Sequence, residues 1–250
     1  MPRRSTMSRL SEFASDQWGL VTRRQAEAAG VSRATMTRLA TSGAVLERVG
    51  RGVYHLAGAP IPDHLDLRVA WLQLAPDVPV WRRTVAEGVV SHRSAAELYG
   101  LGHLAADAHE FIVPTRQRSR RPDVRLHIRE LGESEWINVR GLLVTRPSRI
   151  ASDLLADGEE PGAVAQVIVE GIRNVYDYPG TFVNALAPHA SRYGFRRGEG
   201  LALLRSLLDL VGDPGSERWL EEARAHLAGP GDVDDSWISP SPSTSQGKPS

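Results

Sequence analysis

The chain is predicted to be an α+β protein, an N-terminal winged helix-turn-helix followed by a mixed α/β C-terminal domain. Three observations carry this. Between Gly19 and Leu56, a helix start, a glycine turn, a second helix start and two β-rich runs around a Gly-x-Gly turn follow one another in that order. From Asp63 to about Val211, strand-like runs and helical periodicities are interleaved. Charge is zero overall but uneven: residues 1–58 hold nine arginines against Glu12, Asp16, Glu27 and Glu47, a net of +5, while residues 199–250 carry a net of −5. The positive end coincides with the helix-turn-helix pattern, as a phosphate-facing surface requires.

At 250 residues the chain can bury a real core in one or two domains. The absence of cysteine removes disulfides and thiolate chemistry. No apolar run reaches membrane-spanning length and the N-terminus has no signal-peptide core, so a cytoplasmic protein without membrane association is expected.

In chain order, residues 1–7 read as a disordered basic leader. Ser8 or Ser11 opens a helix to about Gln17, with Leu10, Phe13 and Ala14 on one side and Trp18 closing it. Thr22 and Gln25 have capping-box spacing and open a helix over Arg23 to Ala29. Gly30 supplies the turn, and Ser32 caps a helix over Arg33 to Ser42 that Gly43 ends. On that second helix Met36, Leu39 and Ala40 share one face; Ala34, Thr37, Arg38 and Thr41 share the other, with Arg33 and Thr35 at its edges. A packed face opposite a face of cationic, hydroxyl and small side chains suits insertion into a major groove. Val45 to Val49 and Val53 to Leu56 form a hairpin, placing Arg48 and Arg51 where a wing meets phosphate. The expected DNA-binding set is therefore Ser32, Arg33, Thr35, Thr37, Arg38, Arg48 and Arg51, which completes a domain over residues 8–58.

The Pro-rich stretch Ala57 to Pro62 marks a domain boundary, and an α+β domain is expected over residues 63–211. Asp63 to Leu74 has helical period, with Leu65, Val69, Trp71 and Leu72 against Asp66, Arg68 and Gln73. Val78 to Trp81 is ambiguous, and Val85 to Val90 reads as a strand or buried connector. Ser91 caps a helix that Gly100 ends. His92 and Arg93 at its start read as structural, the sharper alternative being a phosphate or nucleotide site at the helix N-terminus. Glu110 to Val113 is a strand, and Val124 to Arg129 alternates, with Val124, Leu126 and Ile128 on one face and Arg125, His127 and Arg129 on the other. Between them Arg116, Arg118, Arg120 and Arg121 form a basic loop, equally readable as a second phosphate-contacting surface or as a solvated loop. Glu135 to Val139 and Gly141 to Thr145 form a hairpin. Pro147 begins a helix whose Arg149 and Asp153 are an ordinary i,i+4 pair. Glu160 to Ile172, Pro179 to Ala187 and Glu199 to Val211 are helical; residues 212–228 hold a final helix and 229–250 a disordered tail.

No P-loop, Rossmann fingerprint, paired-histidine metal motif or nucleophile elbow is present in the sequence. No cofactor, metal or catalytic residue is expected. The enzyme alternative, a nuclease-like domain targeted by the winged helix, needs a carboxylate cluster, for which Glu87, Glu97, Glu110 and Asp153 are the loosely placed candidates.

The chain resembles the AbiEi family, antitoxins of type IV abortive-infection toxin–antitoxin systems. Three blocks carry the resemblance: Arg48-Val49-Gly50-Arg51-Gly52-Val53-Tyr54, Val90-Ser91-His92-Arg93-Ser94-Ala95-Ala96 running to Gly100-Leu101, and Thr145-Arg146-Pro147-Ser148-Arg149-Ile150-Ala151-Ser152-Asp153-Leu154. It covers roughly residues 8–210. It implies a winged helix that binds inverted repeats upstream of its own operon and represses it. It also implies a C-terminal domain that opposes a nucleotidyltransferase-type toxin without a stable complex, and it transfers no catalytic residue. Binding to an inverted repeat would use a homodimer or a cooperative pair. An orphan regulator without a toxin has the same build.

Overall fold

The computed structural model describes residues 5–117, 119 and 121–228. Residues 1–4 of the expected leader lie outside the described residues, and its last two, Thr6 and Met7, are helical. Helix α1 (Thr6–Ala14) is capped by Ser5, whose side chain accepts from the Ser8 N–H, so the start lies before Ser8 and Ser11. Strand β1 (Leu20–Thr22) follows, a buried element absent from the sequence expectation. Helix α2 (Arg23–Ala28) begins on the full Thr22/Gln25 capping box. Helix α3 (Arg33–Ser42) is capped by Ser32 and closed by Gly43 in the left-handed region at φ 65°. The hairpin is β2 (Leu46–Gly50) and β3 (Val53–Leu56), and β1 pairs antiparallel with β3 to give a sheet of order β1-β3-β2. Leu10, Val21, Ala26, Val31, Met36, Leu46 and Tyr54 fill a small core between these elements.

Helix α4 (Leu65–Leu74) is buried on two sides. Val69 and Leu72 pack with Leu20 and Val53 on the N-terminal side, while Leu67, Ala70 and Trp71 belong to the large C-terminal core. Arg68, expected on a polar face, is 3% exposed: its guanidinium lies 4.3 Å over Trp18 and donates to the Asp63 and Arg140 carbonyls. Trp18 does not simply close α1. It donates to the same Arg140 carbonyl at 2.8 Å, tying the N-terminal region to the C-terminal one. Gln17 and Gln25 exchange reciprocal amide hydrogen bonds of 2.9 and 3.0 Å in a buried position, and their remaining capacity meets the backbone of Leu20, Thr22, Val78 and Val80. The residues on either side of the Pro-rich stretch are thus packed together and hydrogen-bonded.

The C-terminal sheet has the order β6-β5-β4-β8-β7. Its strands are β4 (Val89–Val90), β5 (His109–Val113), β6 (Val124–Ile128), β7 (Trp136–Val139) and β8 (Leu142–Thr145). The β7–β8 hairpin turns through Arg140 and Gly141, both at positive φ (51° and 87°), as a two-residue primed turn requires. Strands β5 and β6 pair in parallel, so they are not the two arms of a hairpin. Helices α5 (His92–Tyr99), α6 (Pro147–Asp157), α7 (Pro161–Arg173), α8 (Pro179–Leu186), α9 (Gly200–Val211) and α10 (Ser216–Ala228) cover the sheet and pack on one another. Val80–Arg82 and Val85–Glu87 are 3₁₀ turns, resolving two ambiguous stretches. The expected tail, 229–250, lies outside the described residues.

Replacing Gln25 with Ala leaves the Thr22 N–H buried without its partner and takes from the Gln17 amide its two bonds to Gln25, its contacts with Leu20 and Val80 remaining. A loss of about 1–3 kcal/mol per unsatisfied group follows, readable as a drop in the urea midpoint of unfolding.

Candidate nucleic-acid interface and a buried histidine cluster

On α3 the division of faces matches the expectation. Met36 is fully buried, Leu39 and Ala40 are half-buried, and Arg33, Ala34, Thr37, Arg38 and Thr41 are exposed. Two of the expected contacts are occupied locally: Ser32 Oγ accepts the Thr35 N–H at 3.2 Å and lies 3.0 Å from the Thr35 hydroxyl. Arg33, Thr37 and Arg38 remain free to reach outward. Arg48 and Arg51 are exposed on the hairpin. None of Arg33, Arg38, Arg48 and Arg51 has an ion pair among the described residues, whereas Arg93, Arg121, Arg125, Arg129, Arg149 and Arg173 each face a carboxylate.

The hairpin turn is held from behind. A Cβ on Gly50 would meet the Val69 side chain at 2.6 Å, so α4 and the turn approach closely where only glycine fits. Gln73 donates to the Arg51 carbonyl at 3.0 Å and accepts from Arg121 at 3.1 Å. The end of the basic loop, at Arg121, therefore lies next to the hairpin turn. Arg116 is exposed, but Arg121 is forked onto Asp123 and is only partly available. Arg118 and Arg120 lie outside the described residues.

A second constellation gathers residues that the sequence scatters. His92 is buried at the first turn of α5, in the left-handed region at φ 51°. Ser91, expected to cap this helix, instead places its hydroxyl 2.9 Å from His92 Nδ1, and Glu110 takes over the cap by accepting the Arg93 N–H at 3.0 Å. Parallel pairing of β5 with β6 sets His127 beside Glu110, and its ring stacks on His92 at 3.6 Å between centroids. Arg125, His127 and Arg129, expected on the polar outer face of β6, look onto the carboxylates of Glu110, Asp153 and Asp157. Ile128, expected on the apolar face, is 56% exposed at this sheet edge. The Arg149–Asp153 pair is no ordinary surface pair: it is buried, bonded at 2.9 Å, and extended to Glu135 and Arg129. Glu87 caps a 3₁₀ turn and Glu97 is exposed, so neither joins.

Burial, reinforced by the neighbouring His127, pulls the His92 pKa down to about 3. Burial pushes Glu110 up, but His127 and the Arg93 N–H outweigh it and hold the carboxyl below its usual range. Asp153 is raised by burial against the pull of Arg149.

The N-terminal region is thus a head of three helices and a hairpin, with exposed arginines that have no ion pair among the described residues on one helix and on the hairpin. Residues 8–57 match the family model described as transcriptional regulator, AbiEi antitoxin, and over that segment the resemblance drawn from the motifs is borne out. No curated protein matches the chain. No helix among the described residues is long and apolar enough to cross a membrane.

The His92 shift has a consequence for stability. Its folded pKa lies below the unfolded value near 6.5, so its contribution is present above about pH 6.5 and is lost as pH falls from there toward about 3, where only the unfolded chain takes up the proton. Urea unfolding across that range should show the stability advantage of the native chain over His92→Asn shrinking as pH falls; a constant advantage would contradict the buried neutral imidazole.

Proposed function

We propose that the protein is a sequence-specific DNA-binding repressor that regulates its own operon and acts as the antitoxin of a nucleotidyltransferase-type toxin. In this reading residues 8–57 form a winged helix-turn-helix. The observation that carries it is the set Arg33, Arg38, Arg48 and Arg51: exposed, without ion pairs among the described residues, and placed on α3 and the adjoining hairpin. Unpaired guanidinium groups gain by meeting phosphate or the guanine edge, where paired ones would first have to give up a carboxylate. Arg33, Thr37 and Arg38 read bases; Arg48 and Arg51 hold phosphate. One small head contacts one half-site, so two copies, as a dimer or a cooperative pair, load on an inverted repeat. The reading is of a regulator rather than a catalyst, working in the cytoplasm without a stable toxin complex.

The enzyme alternative draws on the convergence of Glu110 and Asp153 near two histidines. Both carboxylates are already engaged by guanidinium groups, Glu110 by Arg125 at 2.7 Å and Asp153 by Arg149 at 2.9 Å, which disfavours them as the open acidic cluster of a nuclease.

The test is salt-titrated binding of the full chain to the DNA upstream of its own gene, against a shuffled duplex. Arg38→Ala should cost about 1–3 kcal/mol on the native sequence and erase most of the preference over shuffled DNA. Arg51→Ala should weaken both duplexes alike and flatten the slope of log K against log salt by about one. Equal affinity for native and shuffled DNA would overturn operator recognition. Co-expression with the adjacent toxin gene tests the antitoxin part: growth should be rescued without co-purification of the two proteins.

A further inference from the structure

We propose that His92, His127 and Asp157 form a binding site for one divalent transition-metal ion of the zinc class, bridging α5, β6 and the C-terminal end of α6. Each of the three offers one ligand atom, and these atoms lie within 4.8 Å of one another. His92 Nε2 stands 3.6 Å and His127 Nδ1 3.9 Å from the same Asp157 oxygen. A tetrahedral ion bound at about 2.0–2.1 Å needs ligand atoms about 3.3 Å apart, so these two gaps close by about 0.3 and about 0.6 Å. Asp157 can supply that movement, being the last residue of α6 with a side chain 40% exposed, and the stacked rings splay as the ion enters.

The second observation is the state of the histidine nitrogens. His92 is 1% exposed, yet its Nε2 is buried with no hydrogen-bond partner among the described residues. A buried imidazole nitrogen left unpaired is costly, and here it points toward a carboxylate too distant for a hydrogen bond. The other nitrogen of His92 faces an orienting oxygen, Ser91 Oγ at 2.9 Å, as a histidine ligand's second nitrogen does. His127 Nε2, also buried without a hydrogen-bond partner among the described residues, has the Glu110 carboxylate 3.9 Å away.

The surrounding charge permits a cation. Glu110, Glu135, Asp153, Asp157 and Glu159 face Arg93, Arg125, Arg129 and Arg149, five carboxylates against four guanidinium groups. Because those arginines are already matched, an anion would find little unpaired positive charge here. Imidazole ligands favour zinc, cobalt or nickel over magnesium or calcium. Three protein ligands leave one position for solvent.

The chelator-stripped full chain, titrated with Co2+ as spectroscopic probe and then with Zn2+ by calorimetry, tests the site. One equivalent should bind, with the visible bands of low-coordinate Co2+ that Zn2+ displaces, and the thermal midpoint should rise. Asp157→Asn and His127→Gln should each weaken binding by more than tenfold while keeping the native circular dichroism; Asp157→Asn, at a half-exposed position, guards against a variant that fails to fold. No binding at one equivalent, or unchanged affinity in the folded Asp157→Asn chain, would overturn the assignment. The DNA-binding reading stands or falls separately, because Arg33, Arg38, Arg48 and Arg51 are not part of this site.

Discussion

The packing of helix α4 between two cores is the constraint on which the rest of the structure depends. A helix apolar on one stripe covers one core; this one buries Val69 and Leu72 against the N-terminal sheet and Leu67, Ala70 and Trp71 against the C-terminal one. Arg83 fixes its end, donating to the carbonyls of Trp71, Leu72, Ala75 and Val78 while lying 4.3 Å over the Trp71 ring. That one guanidinium satisfies carbonyls that a helix C-terminus leaves open. Its burial lowers its pKa to about 10, still well above neutrality. Gly50 and Gln73 then set the hairpin turn against this helix, so the position of Arg51 is fixed from the C-terminal side.

Charge is divided along the same line. In the C-terminal region most of the arginines near the sheet are matched to carboxylates, several of them buried, and serve to hold strands and helix ends together. Breaking such a pair leaves an uncompensated charge, so these side chains are structural. On α3 and the hairpin, arginines extend into solvent without carboxylate partners among the described residues. The zero net charge of the chain hides this arrangement.

Local signals were legible in the sequence wherever the physics is local. The Thr22/Gln25 capping box, the Ser32 cap, the Gly43 stop, the two faces of α3 and the Arg140-Gly141 turn each depend on residues within one helical turn or one hairpin. Strand β1 escaped because three apolar or β-branched residues beside a helix cap carry no periodicity; only pairing with β3 makes them a strand. The parallel pairing of β5 and β6 was equally hidden, since nothing local in two short strands around a basic loop sets their relative direction. The histidine cluster depends on that pairing: His127 reaches His92 only because β6 runs beside β5, and Asp157 arrives from the far end of another helix. Strict alternation in β6 was visible, but which face turns inward was decided by carboxylates on other elements. A histidine on the charged face of a strand, with a second histidine at a helix start, was the available signal.

The most direct measurement of the account is amide hydrogen exchange of the full chain with and without saturating DNA from upstream of its own gene. Protection should appear across α3 and the β2–β3 hairpin, with exchange in α5 and α6 unchanged. Unaltered exchange across α3 and the hairpin at saturation, or protection confined to α5 and α6, would contradict the assignment of the DNA-reading face.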